Sequence, residues 1–408
     1  MKVCVVGGGA AGTVASIFLA RGGAEVVLVE KNEKIGKKLY ITGKGRCNVT
    51  NDVEPSEFLK NVVHGEKYLR SAIYGFTPKD TMDFCEGLGV PLVVERGNRV
   101  FPLSQKSSDI IRALANEIER LHIDLRLNTE VKEIRRKEDA FEVLTPWEKI
   151  VCDKVVVATG GISYASTGST GDGYKFAKEF GHEIVDTKPA LCPLILADNV
   201  SALEGISLKN VNLTAYNQSG NIVASEFGEM MFTSRGITGP IVLTISSFVT
   251  GIDGVKLSLD LKPALDEKTL DARILRDFDE RKNQDLKNVT RALLPERLNL
   301  FVLKRAGLSE SKKVNEVTKD ERKRLVETIK DLKFTVVGTA PFAEAVITSG
   351  GISLKNLKPT GESKLSSGLY FVGETVDIDA LTGGFNLQLA FATAVCAAND
   401  ILKSMAKA

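Results

Sequence analysis

Apolar positions change period several times along the chain, and the changes mark out its parts. The run Lys2-Val3-Cys4-Val5-Val6 is almost continuously apolar and predicts a buried strand. It meets Gly7-Gly8-Gly9-Ala10-Ala11-Gly12, after which Val14, Ile17 and Phe18 recur at helical spacing up to Gly22-Gly23. Glu25-Val26-Val27-Leu28-Val29-Glu30 then reads as a second buried strand. One complete strand-helix-strand unit with a glycine-rich turn is predicted.

Beyond it, Gly36-Lys37-Lys38-Leu39-Tyr40-Ile41-Thr42-Gly43-Lys44-Gly45-Arg46-Cys47-Asn48 is too rich in glycine for a helix and predicts a basic loop. Residues 53–120 read as helices and loops: Pro78 opens one helix that Gly87 closes, and Ser107-Ser108-Asp109 caps another running to Leu121. A hairpin end is predicted at Asn98 to Pro102, and alternating strands at 123–127, 130–134 and 141–144. Cys152 to Val157 returns as a buried strand ending in Ala158-Thr159-Gly160-Gly161. From Leu191 to Leu261 short alternating strands predict an antiparallel barrel or sandwich. Residues 263–332 turn helical and densely charged, with apolar stripes at Leu270, Ile274, Leu275 and Phe278, at Leu298, Phe301 and Leu303, and at Leu325, Val326 and Ile329. Strand character resumes at Phe334. After the buried strand at 368–372 and Gly373-Glu374, an alanine-rich helix begins at Gly383-Gly384-Phe385-Asn386-Leu387-Gln388.

The expected architecture is therefore α/β: a split dinucleotide-binding domain at 1–189 and 351–408, an inserted barrel at 190–262 and 333–350, and a helical subdomain at 263–332. A length of 408 residues suits several domains. With 43% hydrophobic and 26% charged residues the composition is that of a globular protein, and no apolar run reads as long enough to span a bilayer. A formal charge of +2 supplies little general field, so nucleic acid would need a local basic patch. The cations at Lys312, Lys313, Lys319, Arg322, Lys323 and Arg324 read as a solvated face rather than that patch. Six scattered cysteines without a CxxC pair or metal-ligand spacing predict reduced thiols, no metal and a cytoplasmic location. His64, His122 and His182 lie outside the glycine motifs and read as surface or structural residues.

Each position of the first turn has a mechanical reason. Gly7 allows the sharp turn, Gly9 removes a side chain that would block a pyrophosphate, and Gly12 lets helix and strand approach. The helix start, Ala10 and Ala11 included, then offers free N–H groups to phosphate. Glu30 stands at the distance of a carboxylate that accepts from ribose hydroxyls and disfavours a 2′-phosphate. Lys37, Lys44 and Arg46 among small residues suit a loop wrapping a phosphate or lying on a planar ring. At the other end, Gly373-Glu374, Asp377 and the helix start at Gly384 form a second anion-receptive element. Two such ends are the halves of an FAD site, the acid holding the ribityl chain or its phosphate neighbours and the second helix start facing the flavin pyrimidine.

These motifs, together with Gly43 to Asn48, Arg99 to Pro102, Tyr164, Gly168 to Gly173, Phe232-Thr233 and Gly236 to Pro240, resemble the BaiN-like family of FAD-dependent oxidoreductases over essentially the whole chain. The resemblance implies a Rossmann-like FAD domain with a barrel insertion, and FAD contacts from Glu30, Lys31, Arg46, Val131 (through its backbone, to adenine), Glu374 and Asn386 to Gln388. With the glycine-rich segments the expected cofactor set is Gly7, Gly9, Ala10, Ala11, Gly12, Glu30, Lys31, Lys37, Gly43, Arg46, Cys47, Asn48, Val131, Ala158, Thr159, Gly160, Gly373, Glu374, Asp377, Gly384, Asn386, Leu387 and Gln388. Ala165, where relatives often carry proline, and Thr393-Ala394, where Ser-Gly is common, depart from the pattern.

No second strand-GxGxxG-helix unit is visible, and Gly168 to Gly173 lacks a preceding strand, so NAD(P)H, if used, visits the substrate pocket transiently, or another reductant serves. The absence of CxxxxC speaks against a disulfide reductase. The favoured activity is hydride transfer from reduced flavin to an activated C=C bond; the resemblance offers a steroid-like enone or a uridine of ribosomal RNA. Oxidation of a small amine such as aminoacetone, and an RNA-binding flavoprotein, are the alternatives. Tyr164 and Cys47 are the candidate proton donors. The sequence sets no oligomeric state.

Overall fold

The structure, a computed structural model, describes residues 1–407. Its contacts divide into two compact units, residues 1–189 with 342 onward, and Ala190–Pro341. The first is built on a five-stranded parallel sheet in the order Leu369–Phe371, Lys154–Val157, Lys2–Val6, Glu25–Val29, Asp124–Arg126. Val3, Val5, Leu28, Val155 and Val156 have no exposed surface, the expected state of strands covered on both faces. The strand at 369–371 comes from the end of the chain but pairs beside the strand at 154–157, itself next to the first. Both ends of the polypeptide thus meet in one sheet.

The helices Ala10–Arg21 and Phe385–Met405 pack against each other on this sheet. Small residues permit the approach: Ala392, Ala394, Ala397 and Ala398 are fully buried, and a Cβ on Gly22 would fall 2.3 Å from Leu402. Phe385–Met405 corrects one expectation, because its 21 residues are long and apolar enough to cross a membrane by length and hydropathy alone. Its most apolar window is 61% buried inside this unit, which makes it a core helix. The antiparallel excursion is present as Glu133–Lys137, Ala140–Leu144 and Lys149–Cys152. The helix Pro78–Gly87 opens with a reciprocal cap between Thr77 and Asp80.

Several boundaries differ from the sequence reading: the strand expected at 130–134 runs Glu133–Lys137, and the one expected at 123–127 joins the parallel sheet as Asp124–Arg126. The loop at 36–48 contains a short helix, Lys37–Ile41, because the glycines stand at its ends, Gly36 in the left-handed region before it and Gly43 after it. Residues 342–350, expected with the barrel, belong to the first unit. There Ile347–Ile352 pairs with Ile184–Ala190, and a Cβ on Gly350 would lie 2.4 Å from the Asp186 carbonyl. The helix Pro240–Val249 occupies a stretch read as strand; its buried Ile241, Val242, Ile245 and Val249 make a run too uniformly apolar to reveal a helical period.

The second unit holds a closed barrel in the order 194–196, 236–238, 222–232, 207–216, 256–260, 332–339. The pairing Leu194↔Thr339 closes it. Its core is continuous with the helices Glu267–Glu280, Leu286–Thr290, Glu296–Arg305 and Lys319–Lys330 through buried Leu270, Ile274, Leu298, Leu325 and Ile329. Leu275, expected in the stripe, is 37% exposed. Several cations of this region are matched by acids: Lys312 by Glu321, Lys313 by Asp285 and Arg322 by Asp271.

Candidate active site

The first turn behaves as three different glycines. A Cβ on Gly12 would sit 1.8 Å from the Gly7 carbonyl oxygen, and one on Gly7, at φ +106°, would sit 2.6 Å from the Ala158 carbonyl. Those two are small because the chain is crowded. A Cβ on Gly9 would meet nothing within 4 Å, so its hydrogen faces open space. Gly9 is also the N-cap of Ala10–Arg21, with no side-chain cap and no acid in the first turn, which leaves the amides of Ala10, Ala11 and Gly12 for a ligand.

Glu30 is 7% exposed and lies at the end of the second strand. One carboxylate oxygen accepts from the Gly8 amide at 2.7 Å, and the other from the Asn32 amide at 2.8 Å and its side chain at 2.6 Å. The acid therefore sits against the phosphate turn, as its spacing predicts. Lys31 pairs with Asp172 at 2.7 Å, tying the strand end to the Gly168 to Gly173 segment; Lys37 reaches Glu33 at 3.1 Å. Val131 is buried, and among the described residues its main-chain N–H and C=O have no partner within the chain. Ala158 donates to the Val6 carbonyl, the Thr159 hydroxyl accepts from Gly173, and Gly160, at φ +73°, donates to the Thr375 hydroxyl.

The loop at 43–48 divides in two. Gly43 and Cys47 adopt positive φ, and Asn48 turns its side chain toward the start of the last helix, where a Cβ on Gly384 would lie 2.9 Å from Asn48 Oδ1. That oxygen is buried and without a hydrogen-bond partner. Arg46 goes the other way. Its guanidinium bonds Glu95 and Gln105 and lies 3.9 Å over the Phe101 ring, so its charge is already matched by the hairpin. The Cys47 thiol is fully buried, and desolvation pushes its pKa up to about 12. That places it with packing thiols rather than with groups that exchange protons at neutral pH.

At the carboxyl end, a Cβ on Gly373 (φ +66°) would fall 2.9 Å from Ala11, so the two halves touch. Glu374, expected to hold the ribityl chain or its phosphate neighbours, is bonded within the chain. One oxygen pairs with Lys38 at 2.6 Å, while the other accepts from the Ser163 hydroxyl at 3.0 Å and the Thr348 amide at 2.8 Å. Lys38, Ser163 and Thr348 went unremarked in the sequence, because nothing in spacing alone brings positions so far apart onto one carboxylate. Thr393, a departure from the family pattern, has a role: its hydroxyl accepts from the Gly373 amide at 3.0 Å and donates to the Leu389 carbonyl at 2.7 Å.

Gly384, at φ +98°, caps Phe385–Met405 without a side-chain hydrogen bond, leaving the amides of Phe385, Asn386 and Leu387 for a ligand. The polar side chains beside them are otherwise engaged. Asn386 accepts from the Ala380 amide at 3.0 Å and donates to the Ala380 carbonyl at 2.7 Å. Gln388 has no exposed surface; it accepts from Thr50 at 2.7 Å and Thr81 at 2.6 Å and donates to the Phe76 carbonyl at 2.9 Å. Both side chains clamp the first turn to neighbouring elements, while the main-chain amides of that turn stay free for a ligand. Asp377 is partly buried, and desolvation holds its carboxyl above the usual range. Tyr164, at φ +52°, caps the turn Ala165–Thr167 next to Ser163.

His64 was read as surface or structural. Its ring Nδ1 lies 2.6 Å from Asp379 Oδ1, a carboxylate only 1% exposed. His182 is buried and bonds Ser363, a structural position.

The residues fit FAD by their own chemistry. An open cradle at Gly9, two uncapped helix starts, an orphaned Asn48 oxygen and an unpaired backbone at Val131 are the unmet polar groups and the space that a dinucleotide would take up. Comparison with known proteins agrees. The description of the HI0933-like protein Rossmann domain matches residues 1–400. The chain is 30% identical over 404 residues to a ribosomal RNA dihydrouridine synthase of Escherichia coli K12, covering 98% of this chain and 97% of that one. It is 28% identical over 401 residues to a 3-dehydro-bile acid delta(4,6)-reductase of Clostridium scindens, covering 96% and 97%. Its fold is shared with a 3-ketosteroid delta1-dehydrogenase of Sterolibacterium denitrificans, at a TM-score of 0.51 and 14% identity over 98% of this chain and 99% of that one.

Proposed function

The chain belongs to the HI0933-like Rossmann family, and from that premise we propose that this FAD-dependent oxidoreductase reduces an electron-poor carbon–carbon double bond. One observation carries the reading. The names of the two relatives matched along their whole length share a net result, addition of two hydrogens across a conjugated C=C: a uracil ring in one, a steroid-like skeleton in the other. Bound FAD supplies the hydride.

The chain's own residues supply the rest. The amides of Ala10, Ala11 and Gly12 would receive the pyrophosphate over Gly9. Glu30 would accept from the ribose, and the Val131 backbone would pair with adenine. Asn48 and the amides of Phe385 to Leu387 would hold the flavin end, where a helix start stabilises negative charge on the reduced ring. Glu374 is a positioning residue, fixing Lys38, Ser163 and Thr348 around the pocket wall. NAD(P)H, the reductant we propose, would dock transiently in the substrate pocket.

The test is anaerobic stopped-flow mixing of the reduced holoenzyme with 4-en-3-one steroids, with uridine-containing ribosomal RNA fragments, and with oxygen plus aminoacetone. Rapid reoxidation by either unsaturated acceptor is the expected result. Turnover of the amine with no reoxidation by a C=C acceptor would reverse the assignment to an oxidase.

A further inference from the structure

Saturating a polarised C=C needs a proton as well as a hydride. The Cys47 thiol is sealed in the core. A histidine–carboxylate pair sits next to the start of the last helix. The strand Val62–His64 pairs antiparallel with Asp379–Ala380, matching His64 to Asp379. Asp379 precedes Ala380, whose N–H and C=O are both clasped by Asn386 in the first turn of the last helix. The same ring nitrogen, Nδ1, lies 3.4 Å from the hydroxyl of Ser349, one residue after the Thr348 amide that Glu374 holds. The imidazole therefore sits beside both the strand Ile347–Ile352 and the segment that leads into the last helix.

The pair has an asymmetry that a purely structural contact would not need. Asp379 is 1% exposed, accepts from His64 at 2.6 Å with Oδ1, and leaves Oδ2 buried without a partner. A buried carboxylate so placed fixes Nδ1–H on the ring and turns Nε2 outward. Half of the His64 side chain is exposed.

We infer that His64, oriented by Asp379, is the general acid of the reduction; this rests on the C=C reading above. The double bond takes a hydride, with its electron pair, from the reduced flavin at one carbon and a proton from His64 Nε2 at the other. Two C–H bonds form and the C–C π bond is lost. The imidazolium becomes neutral imidazole and is reprotonated by water at its exposed edge. The surrounding charges act consistently: the Asp379 bond raises the pKa of His64 most, burial opposes it, Asp377 raises it further, and Lys188 lowers it.

The experiment combines NMR titration of the histidine ring signals in the FAD-loaded protein with the pH dependence of anaerobic reoxidation by the enone or uridine acceptor identified above. Wild type, His64→Gln and Asp379→Asn are compared, with flavin content confirming that each variant holds FAD. Expected are a His64 signal titrating above 6.5, a lower value in Asp379→Asn, and a reoxidation rate that declines with rising pH at the same midpoint. His64→Gln should be slower by about 100-fold or more. A His64→Gln enzyme with the wild-type rate, or a rate whose midpoint ignores the NMR shift in Asp379→Asn, overturns the assignment and leaves the C=C reading standing. A wild-type enzyme that no unsaturated acceptor reoxidises overturns both.

Discussion

The helices starting at Ala10 and at Phe385 both follow a glycine, both lack a side-chain cap, and both present three unengaged amides. Their glycines are small for opposite reasons. At Gly9 a Cβ would enter empty space, whereas at Gly384 it would lie 2.3 Å from the Thr50 carbonyl and the backbone is left-handed. Around the first start the chain keeps a cradle open and places Glu30 against it, through the Gly8 amide. Around the second, Asn386, Gln388, Thr50 and Thr81 use up their side-chain hydrogen bonds on one another and on nearby backbone. The first is shaped as ligand space; the second is locked by internal bonds so that its amides point in one direction. One residue type in one local setting can thus serve room or rigidity, and only the neighbours tell which.

Four substitutions or conditions sharpen that contrast. Gln388→Leu strands two hydroxyls and a carbonyl in the core and should cost about 3 kcal/mol of stability; chemical denaturation of the apo-protein would measure it, and an unchanged midpoint would show that the clamp is dispensable. Gly384→Ala forces a Cβ into a left-handed position against backbone and should cost about 2 kcal/mol, read by the same method. Gly9→Val should leave the apo-protein's melting temperature alone while weakening FAD binding by roughly tenfold, about 1.4 kcal/mol, in a fluorescence titration. If Gly9→Val instead lowers the melting temperature as Gly384→Ala does, the two starts are not different in kind.

The smallest effect is in pH. The folded-state pKa of His64 is raised above its ordinary 6.5 by Asp379, so the pair's stabilisation is complete below about that value and is lost as pH rises through the higher folded one. For a half-exposed ring, screening limits it to about 1 kcal/mol at most. The difference in denaturation midpoint between wild type and His64→Gln, measured on either side of that window, should shrink as pH rises.

How far the chain was legible depended on whether a signal was local. The strand, turn and helix at 2–21 could be read because every constraint, from the apolar run to Gly12 lying under Gly7, acts within a dozen residues. The barrel strands, the helix opening at Thr77-Pro78 and the place of Glu30 beside the turn follow from period and spacing in the same way, whereas Ser107-Ser108-Asp109 makes no side-chain cap and Ser107 donates to the Tyr40 carbonyl instead. Glu374 was recognised as an acid at a strand end, but its partners lie at 38, 163 and 348. Gln388 is expected at the cofactor only through the family resemblance, and nothing local in the sequence announces the bonds of its side chain to Thr50, Thr81 and Phe76.

By itself the sequence determined where apolar surface must be buried, which turns demand glycine, and that both ends carry helix starts able to receive a dinucleotide. Those are properties of short stretches, set by backbone geometry and periodicity. Tertiary structure alone decided which polar side chains remain unsatisfied, leaving Asn48 and Asp379 with an unpaired oxygen while matching Arg46, Glu374 and Gln388. Hydrogen-bonding capacity is finite, and partners distant in sequence determine where it is used.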